Sequence, residues 1–131
     1  MNMYMATHDE LIRDFHMTIL EASSEYARVS MPLQDGVRNA MGAAHGGAIF
    51  ALADVAFGSA ANCESETAVV SLNASIEYLR PGLVGPLVAE ARLTHGGKRL
   101  VRYDVHVMDG NGEVIAQMLT TGSVTHITLP Q

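Results

Sequence analysis

The stretch from His45 to Asn62 limits this chain more than any other: His-Gly-Gly-Ala-Ile-Phe-Ala-Leu-Ala-Asp-Val-Ala-Phe-Gly-Ser-Ala-Ala-Asn. At about 100° per residue, the apolar side chains of positions 48–61 fall on every side of a helix axis, and Asp54 is the only ionisable group among them. Such a helix is buried. Its fourteen residues (48–61) are too few and too small-sided to cross a bilayer, so protein must surround it, and a sheet curled about it does so best.

That arrangement strands one carboxylate in a place where carboxylates are costly. No Lys or Arg lies within a helical turn of Asp54, so it must find other donors or bind its proton more tightly. Two readings follow: a structural Asp that accepts hydrogen bonds from a neighbouring segment, or a base or nucleophile tuned by partial desolvation.

The other end of the helix carries complementary chemistry. His45-Gly46-Gly47 falls where unpaired backbone N–H groups and the positive end of the helix dipole gather, and the glycines let a ligand approach closely. Such a mouth can hold a phosphate or polarise a carbonyl oxygen, although glycines also serve simply to make a tight entry turn. No Gly-Lys-Ser/Thr follows it and no dinucleotide fingerprint is present. Gly46 and Asp54 are eight residues apart, about 12 Å along a helix at ~1.5 Å per residue. Groups that act on one reacting atom must each lie about 3 Å from it. One helix cannot do both jobs, whereas two copies packed antiparallel about a two-fold axis can, and a site shared between subunits is expected.

The run from Asn39 through His45-Gly46-Gly47 to Asp54 resembles the hotdog-fold acyl-CoA thioesterases, specifically the phenylacetic-acid-degradation (PaaI-like) group. Ser71-Leu-Asn73-Ala-Ser-Ile-Glu-Tyr-Leu-Arg80-Pro81-Gly82 and Leu93-Thr-His95-Gly-Gly-Lys98-Arg99 resemble that group in the same order, over roughly residues 10–127. The resemblance implies an α+β hotdog fold in one domain, residues 1–131. It implies Asp54 as nucleophile or base, the Gly46 N–H as the group binding the thioester carbonyl, Asn39 as an orienting residue and His45 as support for the oxyanion site. Ser71 or Asn73 would position the attacking water. Gly47 and Phe50 join Asn73 and Arg80 as candidate substrate contacts. No metal or other cofactor is implied, because coenzyme A is part of the substrate; a homodimer, extending to a homotetramer, is expected. Phenylacetyl-type acyl groups are favoured, with medium or long aliphatic chains as the alternative.

With 131 residues there is room for one modest core, and an apolar fraction of 48% suits an oligomer interface. A net charge of −6 argues against broad nucleic-acid binding. The first residues lack a basic, signal-like start, and the lone Cys63 suits a reducing cytoplasm; neither a membrane nor a nucleic-acid partner is expected. Cys63 has no electropositive neighbour to make it a nucleophile.

Thr7-His8-Asp9-Glu10 has the pattern of a capping box opening a helix to about His16. Residues 17–22 and 25–31 read as a hairpin around Ser23-Ser24, followed by a loop over 32–44 in which Arg38 is a solvated charge. Beyond the helix the period becomes two. Val70, Leu72, Ala74, Ile76 and Tyr78 read as one face of a strand, with Ser71, Asn73, Ser75 and Glu77 on the other. Strands near 87–94, 101–107 and 113–126 follow, joined by tight turns, which predicts an antiparallel sheet.

Of the eight basic residues, Arg80, Arg92, Lys98, Arg99 and Arg102 crowd into 23 positions, a candidate patch for coenzyme A phosphates with Lys98 and Arg99 at its centre. Solvent-facing strand charges are the plainer alternative. His95, His106 and His126 lie on different strands without metal-ligand spacing, and no Gly-x-Ser-x-Gly elbow is present. Two other classes share the expected groove: a noncatalytic acyl-CoA-binding module and a hotdog acyl-thioester dehydratase. The dehydratase usually pairs a His with an acid across its site.

Overall fold

A computed structural model describes residues 4–130. The leaderless reading of the N-terminus rests partly on residues 1–3, outside the described residues. The expected single N-terminal helix is two short ones, α1 (Tyr4–His8) and α2 (Glu10–Asp14). Asp9, not Thr7, is the capping residue. Its backbone is extended, and its Oδ1 accepts from the amides of Leu11 (2.9 Å) and Ile12 (3.1 Å), which ends one helix and starts the next. The Thr7 hydroxyl donates back to the Tyr4 carbonyl instead.

Strands β1 (Thr18–Ala22) and β2 (Tyr26–Met31) form the expected hairpin, closed by a 2.7 Å bond from Ser23 N–H to the Tyr26 carbonyl. In the loop that follows, Arg38 donates to the carbonyls of Gly42 and Leu33, so this exposed charge braces the loop. Helix α3 (Gly46–Cys63) comes next, then β3 (Thr67–Tyr78), β4 (Leu87–Gly96), β5 (Leu100–Met108) and β6 (Val114–Thr128). All neighbouring strands are antiparallel, as the tight turns predict. Their order, β1-β2-β4-β5-β6-β3, differs from chain order because α3 crosses the sheet and delivers β3 to the far edge beside β6.

Helix α3 has 18 residues, longer than the expected fourteen, and is long and apolar enough to reach across a membrane. Here the sheet is its surroundings: 61% of it is buried inside the protein, and side chains such as Leu52, Met31, Leu87, Ile115 and Met118 close the core between helix and strands. Burying each large side chain is worth about 1.5–3 kcal/mol. The expectation of burial on all sides needs one correction. Gly47 is exposed, and Phe50, Ala51, Asp54 and Gly58 are partly so, a stripe at helical spacing that the curl of one sheet does not reach.

Two contacts fix α3 against the strands. Phe57 packs edge-on to Tyr103 at 5.6 Å and lies so close to Gly122 that a Cβ there would sit 2.8 Å from its Cζ. The buried Asn62 side chain donates to the carbonyls of Gly58 and Val69 and accepts from Val69 N–H, which ties the helix end to the start of β3. Strand β3 departs from the predicted alternation: Ser71 pairs with Gly122 but Asn73 with Thr121, so one extra residue bulges out beside Leu72. Val69 is buried whereas Val70 and Leu72 are 48% and 65% exposed; beyond the bulge, Ala74 and Ile76 pack against the core.

Candidate active site

The mouth of α3 is held open by its own cap. His45 is the N-cap, and its Nδ1 accepts from Gly47 N–H at 2.9 Å, so the ring nitrogen is unprotonated there. The Gly47 amide is thereby committed, while no acceptor among the described residues takes the Gly46 N–H. Gly46 is itself fixed: the Tyr78 hydroxyl donates to its carbonyl at 2.9 Å, and the Tyr78 ring occupies the space beside its Cα.

Asn39 lies in the same cavity as Gly46, a space of about 440 Å³ bounded also by Met41, Tyr78, Arg80 and Leu83. Its Oδ1 accepts from Met41 N–H (3.0 Å) and Ala43 N–H (3.1 Å) in a turn that Gly42 completes at a φ of 83°. The carbonyl side of the amide is therefore occupied, and its NH₂ is left to donate. At the rim, Arg80 meets Glu113 at 2.6 Å.

Asp54 lines a second cavity, of about 230 Å³, together with Asp9, Ser59, Asn62 and Ser71. Among the described residues no hydrogen bond or ion pair reaches its carboxyl group. Burial pushes this carboxyl above its ordinary value, and the negative charge of Asp9 pushes it further in the same direction. Ser71 Oγ lies 3.4 Å from Thr120 Oγ1, which leaves it only weakly engaged.

The chain therefore gathers Asn39, His45 and Gly46 at the N-terminal end of α3, and Asp54 with Ser71 beside the middle of the helix. Asn73 lies past the bulge and lines neither cavity, and Phe50 lies on the open stripe, partly packed against the core. The basic cluster does not stay together either. Arg80 is paired with Glu113, and Arg92 lies 3.4 Å from Glu90 and 4.6 Å from the Tyr26 ring centroid, where Tyr26 also donates to Glu90. Lys98, Arg99 and Arg102 have no ion-pair partner among the described residues. Cys63 is buried, donates to the Ala22 carbonyl and is pushed up by burial, which removes it from nucleophilic chemistry. Two residues with a direct bearing on the site, Tyr78 and Asp9, lacked a site role in the sequence reading. A cue existed for Asp9 in its capping position; Tyr78 offered none, because its bond to Gly46 spans 32 positions.

Residues 41–116, which contain both Gly46 and Asp54, match the thioesterase superfamily. The chain belongs to that superfamily. It is 32% identical over 113 residues to the acyl-coenzyme A thioesterase PaaI of Escherichia coli, covering 86% of this chain and 80% of that one. The solved structure of E. coli PaaI, from the phenylacetic acid degradation operon, superposes with a TM-score of 0.89 at 28% identity, over 96% of this chain and 91% of that one. A Streptococcus mutans protein bound to acetyl CoA superposes with a TM-score of 0.78 at 28% identity, over 86% and 91% of the two chains. The resemblance read from the motifs holds: this thioesterase is a PaaI-like hotdog protein and a thioester hydrolase.

Proposed function

We propose that the chain hydrolyses acyl-CoA thioesters in a site shared by two copies, with Asp54 of one and the Gly46 amide of the other on either side of the thioester. The observation that carries this reading is the separation of an unpartnered acid and an uncommitted helix-mouth amide into different cavities along one helix. An antiparallel pair of α3 helices brings each acid to the other's mouth. The open stripe through Gly47, Ala51, Asp54 and Gly58 is the surface on which a second helix fits, and the exposed edge strand β3 supports the same pairing.

The carbonyl oxygen sits at the Gly46 N–H, which stabilises the negative charge growing there. His45 keeps that helix end capped, and the Asn39 NH₂ orients the thioester or the water. Asp54 takes a proton from water that Ser71 positions, or attacks to give a mixed anhydride that water opens. The acyl group is of phenylacetyl type or a medium or long chain. Its coenzyme A carrier is supported by the name of the E. coli relative and by acetyl CoA in the S. mutans structure.

The test is release of thiol from a panel of acyl-CoAs, followed with a thiol reagent. Asp54→Asn is expected to lower kcat by orders of magnitude with little change in KM. Gly46→Pro removes the proposed oxyanion donor at a helix position that tolerates proline, and should cost about 10²–10³ in kcat. Mixing the two inactive variants should restore about a quarter of wild-type activity, because half the dimers then hold one intact site. Recovery of none would refute the shared site.

A further inference from the structure

The Asp54 cavity has a second carboxylate in its wall, supplied by a part of the chain that the reaction as described does not use. Asp9 stands at the entry of α2, partly buried, with Oδ1 anchored on the amides of Leu11 and Ile12. Met5 and Ile12 flank it and make that side of the cavity apolar. Apart from Asp54 itself, the described residues that α3 and β3 give this wall are apolar or carry the neutral polar groups of Ser59, Asn62 and Ser71. Among the described residues that line this space, Asp9 and Asp54 are the only titratable groups, and no Lys or Arg joins them.

We propose that Asp9 is a positioning residue for hydrolysis: fixed at the start of α2, its negative charge strengthens Asp54 as a proton acceptor and drives the acid product out. The inference rests on the reading of Asp54 as the residue that accepts a proton from water. Charges interact strongly across a small, poorly solvated space, and the direction of the Asp54 shift agrees with this, burial acting first and Asp9 second. Hydrolysis turns the neutral thioester and water into a thiol, a proton and a carboxylate. That carboxylate forms in a space already bounded by two others, so repulsion favours its departure.

Asp9→Asn separates charge from structure, because Asn caps a helix as well as Asp does. The expected result, measured on the full-length protein, is a shift of the acid limb of kcat/KM to lower pH by about 0.3–0.5 unit, a two- to threefold change in rate on that limb. Inhibition by the free carboxylic acid should tighten by a similar factor, with Tm retained. Asp9→Ala should show the same limb shift together with a lower Tm, from the lost cap. An unmoved limb in Asp9→Asn overturns the proposal. The underlying reading fails separately, by near-normal turnover of Asp54→Asn.

Discussion

Asp54 sits where an ionised carboxylate is held at a disadvantage. Its carboxyl binds a proton more tightly in the folded chain than in the unfolded one, so ionisation costs the native state free energy at neutral pH. The penalty is absent below the unfolded-state value, grows as pH rises past it and is complete above the folded-state value. Replacing Asp54 by Asn should therefore leave Tm unchanged or higher at pH 7, with the advantage shrinking as pH falls; melting curves across a pH series check this. A clear loss of Tm at pH 7 would mean that the carboxylate makes stabilising contacts after all. Gly46 shows the opposite economy. One uncommitted N–H is kept in place by Tyr78 Oη on the carbonyl of the same residue.

At the scale of elements, α3 depends on an unusual cap. His45 gives the Gly47 amide its acceptor, and His45→Ala should lower stability by about 1 kcal/mol and loosen the mouth, whereas His45→Asn should keep most of both. Paired thermal melts and kcat values for the two variants test it, and equal behaviour of both would show that the cap does not matter. The helix, its single acid, its glycine mouth and the hairpins were legible in the sequence, because each is written in periodicity or turn chemistry within a few residues. Tyr78 was not, since its bond to Gly46 spans 32 positions and nothing local announces it. The bulge in β3 escaped because its apolar residues, Val70 and Leu72 followed by Ala74 and Ile76, imitate an unbroken alternation although the first two face outward. Asp9 falls inside a capping pattern that points to Thr7, two residues out of register with the observed cap, which conceals that its carboxylate shares a cavity with Asp54.

For the whole molecule, the question is where the long carrier of the acyl group lies. The turn holding Lys98 and Arg99 precedes Leu100, which pairs with Ser123, itself the partner of Val70 on the wall of the Asp54 cavity. In the proposed two-fold arrangement a coenzyme A that reaches this end would bring its phosphates to these cations, which have no ion-pair partner among the described residues. Replacing both with Ala should raise KM for an acyl-CoA several-fold with kcat nearly unchanged, and should weaken the dependence of KM on salt; an unaltered KM would place the phosphates elsewhere. The bulge at Leu72 bears on this same arrangement. Ser71 lines the Asp54 cavity and Tyr78 braces Gly46, and they stand seven residues apart, an odd interval that an unbroken strand would send to opposite faces. The additional residue makes the interval effectively even, so that in the proposed dimer a single ribbon of backbone would serve two catalytic centres at once. Between these positions the number of residues matters more than their identity, and losing or gaining one would uncouple the two centres.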